Sequence, residues 1–180
     1  VGHDTQGWLA AGHAGPRFLT LGPGFVTPGG YLSDSVPSVT TVDDVEAQFA
    51  RLQSLGAVGV KVFVERGFGL RPVWPIPSPE IRAAIVRSAA VRRLPIYVHA
   101  EREADMTVAL DMGARAIVQG CFYHGSTSEA FVRRMAESGT YLVTTFSLMD
   151  AHPLDDPLFR GTVPARERAT ARDPPSRRLP

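Results

Sequence analysis

The sequence predicts a parallel α/β fold. Short apolar runs rich in β-branched residues recur between residues 17 and 147. Each is followed by a stretch with helical spacing, and capping residues mark where the helices begin. The chain has 180 residues, 44% of them hydrophobic, enough for one sizeable core rather than two.

Arg17-Phe18-Leu19-Thr20-Leu21 reads as the first strand, and the Gly/Pro-rich stretch from Gly22 to Tyr31 as a loop. Thr41 caps a helix with Asp43 and Asp44 in its first turn. Val45, Phe49, Leu52 and Leu55 form its apolar stripe, and Gly56 ends it. Val58-Gly59-Val60-Lys61-Val62-Phe63-Val64 is the second strand, apolar enough to be buried on both faces. A Pro-rich loop leads to Ser78-Pro79-Glu80, which opens the second helix with a cap residue and a proline at its first position.

The third strand is Pro95 to Ala100, and a helix from about 103 to 112 closes at Gly113. Ala116 to Gln119 is strand-like. Ser126-x-x-Glu129 reads as a capping box ahead of Phe131, Val132 and Met135, and Thr140 to Phe146 is the fifth strand. Five strands alternating with four helices imply a parallel sheet. Residues 153–180 hold six prolines and six arginines and are expected to be an irregular tail, which leaves 1–152 as the folded domain.

Composition excludes several classes of function. The net charge of +1 gives no field that favours nucleic acid or a membrane surface. No run of about 18 apolar residues is present to span a bilayer. Cys121 is the single cysteine, which excludes an intrachain disulfide framework, suits a reducing compartment and points to the cytoplasm. The opening Val1-Gly2-His3-Asp4 has neither an initiator methionine nor a signal-peptide pattern, so a piece of a longer chain is expected.

Lys61 is the only lysine; every other cationic side chain except the histidines is arginine. A lysine inside a buried strand is costly unless it is paired, neutralised or chemically used, and unlike arginine it can lose its proton. Snorkelling to solvent is the alternative. In parallel α/β folds ligands gather at the C-terminal ends of the strands. There the third and fourth strands deliver His99 and Gln119, with Lys61 reaching the same rim from mid-strand. We expect the three in one cavity at matching depths.

Val60-Lys61-Val62-Phe63, Val98-His99-Ala100, Gly113-Ala114-Arg115-Ala116-Ile117-Val118-Gln119-Gly120 and Gly139-Thr140-Tyr141-Leu142-Val143-Thr144-Thr145 occur in that order. In this the chain resembles the metal-dependent amidohydrolase superfamily, and most closely its imidazolonepropionase-like and prolidase-like branch. The resemblance covers about residues 17–150. It implies a partial (β/α)8 TIM-type barrel in which these segments supply the third to seventh strands. It also implies a hydrolase of amide bonds in small molecules or small peptides.

By the same resemblance Lys61, carboxylated by CO2, bridges divalent metals, zinc being the best match, and His99 is a second ligand from the next strand. Gln119 stands where the family has histidine, with His124 as a stand-in from the loop. The metals activate water and polarise the carbonyl. The family's first-strand His-x-His pair is absent, since His3 and His13 fit no such motif, and Asp150 and His152 are not assigned the role of its last-strand aspartate. Substrate-binding residues are not identified.

Other features take blander readings. The glycines 22, 24, 29 and 30 do not open a helix and so form no phosphate fingerprint. Cys121 lacks a positioned base. Glu101, Arg102 and Glu103 either line the pocket mouth or start a solvated helix. Trp74 either covers a site or packs within its loop.

Two further readings stand beside the hydrolase: a non-catalytic domain that keeps the fold, and a Schiff-base lyase in which Lys61 attacks a carbonyl. Five strands do not close a barrel. The inward faces of Val60, Val62, Val98 and Val143 are then expected to lack partners, giving self-association, weak metal binding and negligible activity of the chain alone.

Overall fold

A computed structural model of the chain describes residues 7, 11–12, 19–67, 73–120 and 127–144. The chain divides into two units, Val1–Val143 and Thr144–Pro180, and the description here is of the first. The tail at 153–180 lies outside the described residues.

Helix α1 (Val42–Ser54) starts as its sequence requires. The Thr41 hydroxyl accepts the Asp44 N–H at 3.1 Å, and the Asp44 carboxylate accepts the Thr41 N–H at 2.8 Å. Three hydrogen bonds to Thr40 and Thr41 hold the Asp44 carboxyl down at about 2. Val45, Phe49 and Leu52 are fully buried, and the chain turns away at Gly56, whose φ of 62° suits glycine.

Strand β1 (Val60–Phe63) follows, then α2 (Pro79–Arg92), β2 (Ile96–Ala100), α3 (Glu103–Asp111), β3 (Ala116–Gln119), α4 (Glu129–Ser138) and β4 (Tyr141–Thr144). The four strands form one parallel sheet in the order β1-β2-β3-β4, as strands joined through helices must. In register, Val60 faces Ile96, Lys61 faces Tyr97 and Phe63 faces His99. Across the next pair, His99 faces Val118 and Ala100 faces Gln119.

Two expected boundaries shift. Leu19 to Leu21 are not strand; Phe25 takes that place beside β1 as a single parallel bridge to Val62. Its N–H donates to the Lys61 carbonyl at 2.8 Å and its carbonyl accepts the Phe63 N–H at 3.0 Å. The apolar pair Phe25-Val26 inside the glycine-rich stretch outcompetes the earlier run because it buries completely. The second shift is the cap of α4, which is Ser128, whose hydroxyl accepts the Phe131 N–H at 3.2 Å. Ser126 lies outside the described residues.

Strand alternation decides what each face carries. Val60, Val62, Val98 and Ile117 are fully buried in one cluster with Phe49, Leu52, Ile85 and Met106 from the helices. Val60, Val62 and Val98 were expected to face an unfilled barrel interior. They form the helix-facing core instead, and their partners are present in this chain. The opposite face carries Lys61, Phe63, Tyr97, His99 and Val118. On β4 every residue is exposed, Val143 to 47%.

Candidate functional site

Lys61 and His99 lie on the same face of the sheet but at different depths. Lys61 pairs with Tyr97, so His99 sits two residues nearer the C-terminal rim, level with Phe63. Gly24 makes room for this arrangement. A Cβ there would come within 2.4 Å of the Phe63 ring and 3.2 Å of Lys61 Cγ. The glycine-rich stretch therefore backs onto the lysine, and Gln48 of α1 holds it by donating to the Pro23 carbonyl at 3.1 Å.

Burial sets the protonation states. Desolvation pushes the Lys61 ammonium down from 10.5 to about 8, which leaves a ready fraction of neutral amine near pH 7. Its Nζ lies over the Phe63 ring, 5.2 Å from the centroid. His99, 3% exposed, is pushed down to about 3, first by burial and then by the Lys61 charge. Its imidazole is neutral at pH 7 and offers a lone pair to a metal or a proton. His99 Nε2 lies 3.6 Å from Glu65 Oε2, beyond hydrogen-bond reach, and because burial keeps the ring neutral at pH 7 the two do not form an ion pair.

Glu65 and Glu101 come to the rim from the ends of β1 and β2, 1% and 4% exposed. Glu65 is fixed by the Gly67 N–H, which donates to its Oε1 at 2.6 Å. That loop is pinned in turn, because Arg66 pairs with buried Asp105 at the start of α3 and Arg102 Nε donates to the Gly67 carbonyl at 3.1 Å. Burial raises the Glu65 carboxyl, and it raises Glu101 to about 7 with help from the Glu65 charge.

Gln119 ends β3 with φ of 95°, a region that side-chain-bearing residues avoid. Its partner is Ala100, one step beyond the partner of His99. Its Oε1 is buried and, like Glu65 Oε2 and Glu101 Oε2, has no hydrogen-bond partner among the described residues.

Aromatic rings close over this group. Tyr31 stacks 5.0 Å from His99 and 5.0 Å from Trp74, and Phe63 lies 5.6 Å from His99. Trp74 is held by its N–H, which donates to the Arg66 carbonyl at 3.0 Å. It thus belongs to the site's surroundings as well as to its loop.

Glu103 instead accepts the N–H and hydroxyl of Ser128 at 2.6 and 2.7 Å, tying α3 to α4 on the exposed side. His124 and Cys121 lie outside the described residues, as do His3, His13, Asp150 and His152.

Sequence reasoning singled out neither Glu65 nor Tyr31. Glu65 had a signal, since it is the first acidic residue after the buried run 58–64. Tyr31 had none, because its place depends on the return of a long loop.

The donors fit a divalent metal in part. A neutral imidazole, a partly neutral amine and an amide oxygen without a donor are suitable ligands. Among the described residues, however, no three of His, Cys, Asp and Glu converge on a point.

Solved structures with this fold include a dipeptidase, an ochratoxinase and an amidohydrolase. The chain is similar to a Xaa-Pro dipeptidase solved with methionine bound in its active site, at 24% identity and a TM-score of 0.65. The match covers 93% of this chain and 44% of that one. It is similar to the ochratoxinase of A. niger at 18% identity and a TM-score of 0.69, covering 95% and 44%. A bottromycin amidohydrolase matches at 19% and 0.64, covering 99% and 42%. The fold is part of a (β/α)8 barrel. The chain spans less than half the length of these proteins. No protein-family model and no curated protein sequence matches it.

Proposed function

We propose that the chain carries part of a divalent-metal centre for hydrolysing amide bonds in small molecules or small peptides. The observation that carries this reading is the placement of Lys61 and His99 on one sheet face, both driven toward their neutral forms by burial. Lys61, His99 and Gln119 would hold the metal, with His124 as a further candidate. Zinc suits nitrogen donors alongside oxygens.

Neutral Lys61 amine can add to CO2, forming a carbamate and releasing a proton, which turns a buried cation into an anionic oxygen ligand. Bound there, the metal supplies Lewis acidity toward the carbonyl and a lowered pKa for water. His99, neutral at pH 7, would bring an imidazole nitrogen to that role, and the rings of Tyr31 and Phe63 limit water around it. The lone cysteine supports a cytoplasmic setting.

The test is hydrolysis of unblocked dipeptides by the chain with added zinc, with chelator, and as His99→Ala. The reading expects slow turnover that needs zinc and is lost in the variant. Turnover that persists under chelation or in His99→Ala overturns it. One observation favours a second reading: a lysine held near 8 is also suited to Schiff-base chemistry. Borohydride trapping of an aldehyde on Lys61 without zinc would favour that lyase.

A further inference from the structure

The metal reading leaves unexplained two buried carboxyl oxygens at the ends of β1 and β2. Glu65 Oε2 and Glu101 Oε2 have no donor among the described residues. Buried acceptors without donors are costly, and two carboxyl groups side by side more so. The occupant such a corner favours is positive and rich in N–H or O–H.

Nearby cations of the chain do not fill this place. Arg66 is paired with Asp105 and Arg102 Nε donates to the Gly67 carbonyl; their charges reach Glu65 but do not offset its burial, and no ion pair joins Lys61 to either glutamate among the described residues. A bare metal ion suits the corner poorly, because among the described residues no three of His, Cys, Asp and Glu converge there. The half-buried faces of Tyr31, Phe63 and Trp74 stand beside it. Aromatic faces next to carboxylates are the surroundings that recognise an organic ammonium, which brings three donors and a charge that rings attract.

We propose that Glu65 and Glu101, flanked by Tyr31 and Phe63, bind the protonated amine of the substrate. The substrate class is then an amide or peptide with a free amino group rather than an acylated one. This rests on the hydrolase reading for what the ligand is, but the ammonium subsite itself can be tested without turnover.

Calorimetry of the 180-residue chain at pH 7.5 compares benzylamine with its neutral counterpart benzyl alcohol. Benzylamine is expected to bind at least about tenfold more tightly, a difference of about 1.4 kcal/mol. Glu101→Gln and Glu65→Gln are expected to cut that ratio to about threefold or less, with unfolding midpoints monitored alongside. Equal binding of the two probes to the unmodified chain overturns the proposal whether or not the variants fold. A ratio that survives in folded variants also overturns it.

The two readings fail separately. Hydrolysis of N-acetylated and free dipeptides at equal kcat/KM would sink the ammonium subsite and leave the hydrolase. Benzylamine selectivity without any hydrolysis would do the reverse.

Discussion

At the scale of single residues the site is a set of groups held away from their ordinary protonation. The folded-state value for Lys61, about 8, lies below the unfolded 10.5, so its contribution favours folding above the ordinary lysine range and is lost as pH falls through about 8. At pH 7 the ammonium is a net burden. Lys61→Met is therefore expected to stabilise the chain at pH 7 by about 1–3 kcal/mol, allowing for its partial exposure. The gain should shrink above pH 10, and denaturant unfolding at the two pH values reads it. Gln119 tests backbone strain in the same way. At φ of 95° a Cβ is unfavourable, so Gln119→Gly should be more stable than Gln119→Ala by about 1 kcal/mol. Equal stabilities would show that the conformation costs nothing.

At the scale of elements, local chemistry made most of the structure legible. The Thr41 cap, the Ser78-Pro79 start and the stripe of Val45, Phe49 and Leu52 are all where the sequence puts them, because each is decided within a few residues. Thr41→Ala is expected to cost about 1 kcal/mol in thermal or chemical unfolding. The Asp44 half of that capping box is present above the ordinary carboxyl range and is lost as pH falls through about 2.

Readings that depended on long-range packing fared differently. A strand was expected at 17–21, but Phe25 pairs with β1 because full burial outweighs a run of residues that stay partly exposed. The faces of β1 and β2 were reversed for Val60, Val62 and Val98, since a continuous apolar run does not say which side the helices cover. Lys61 and His99 were legible as rim candidates, yet their two-residue offset depends on register alone. Gly24 was read only as a loop residue. Its close approach to Phe63 predicts that Gly24→Ala costs about 1–3 kcal/mol and moves the ring that faces His99.

At the scale of the whole molecule, the chain spans less than half the length of the hydrolases it is similar to. Val60, Val62, Val98 and Ile117 are buried against the helices, but β4 exposes Tyr141 to 58%, Leu142 to 48% and Val143 to 47%. Apolar surface of this kind on a strand favours association. The isolated chain is expected to self-associate in sedimentation, and Leu142→Lys with Val143→Lys to shift it toward monomer. An unmodified chain that sediments as a monomer would remove that expectation. A catalytic zinc site takes three protein ligands and an open position, and the described residues bring no three of His, Cys, Asp and Glu together.

A cobalt titration followed by visible absorption, comparing the unmodified chain with Lys61→Met and His99→Ala, tests the claim that these two residues are the core of a metal centre. The account predicts weak, saturable binding that both substitutions abolish; binding unchanged by either one would contradict it.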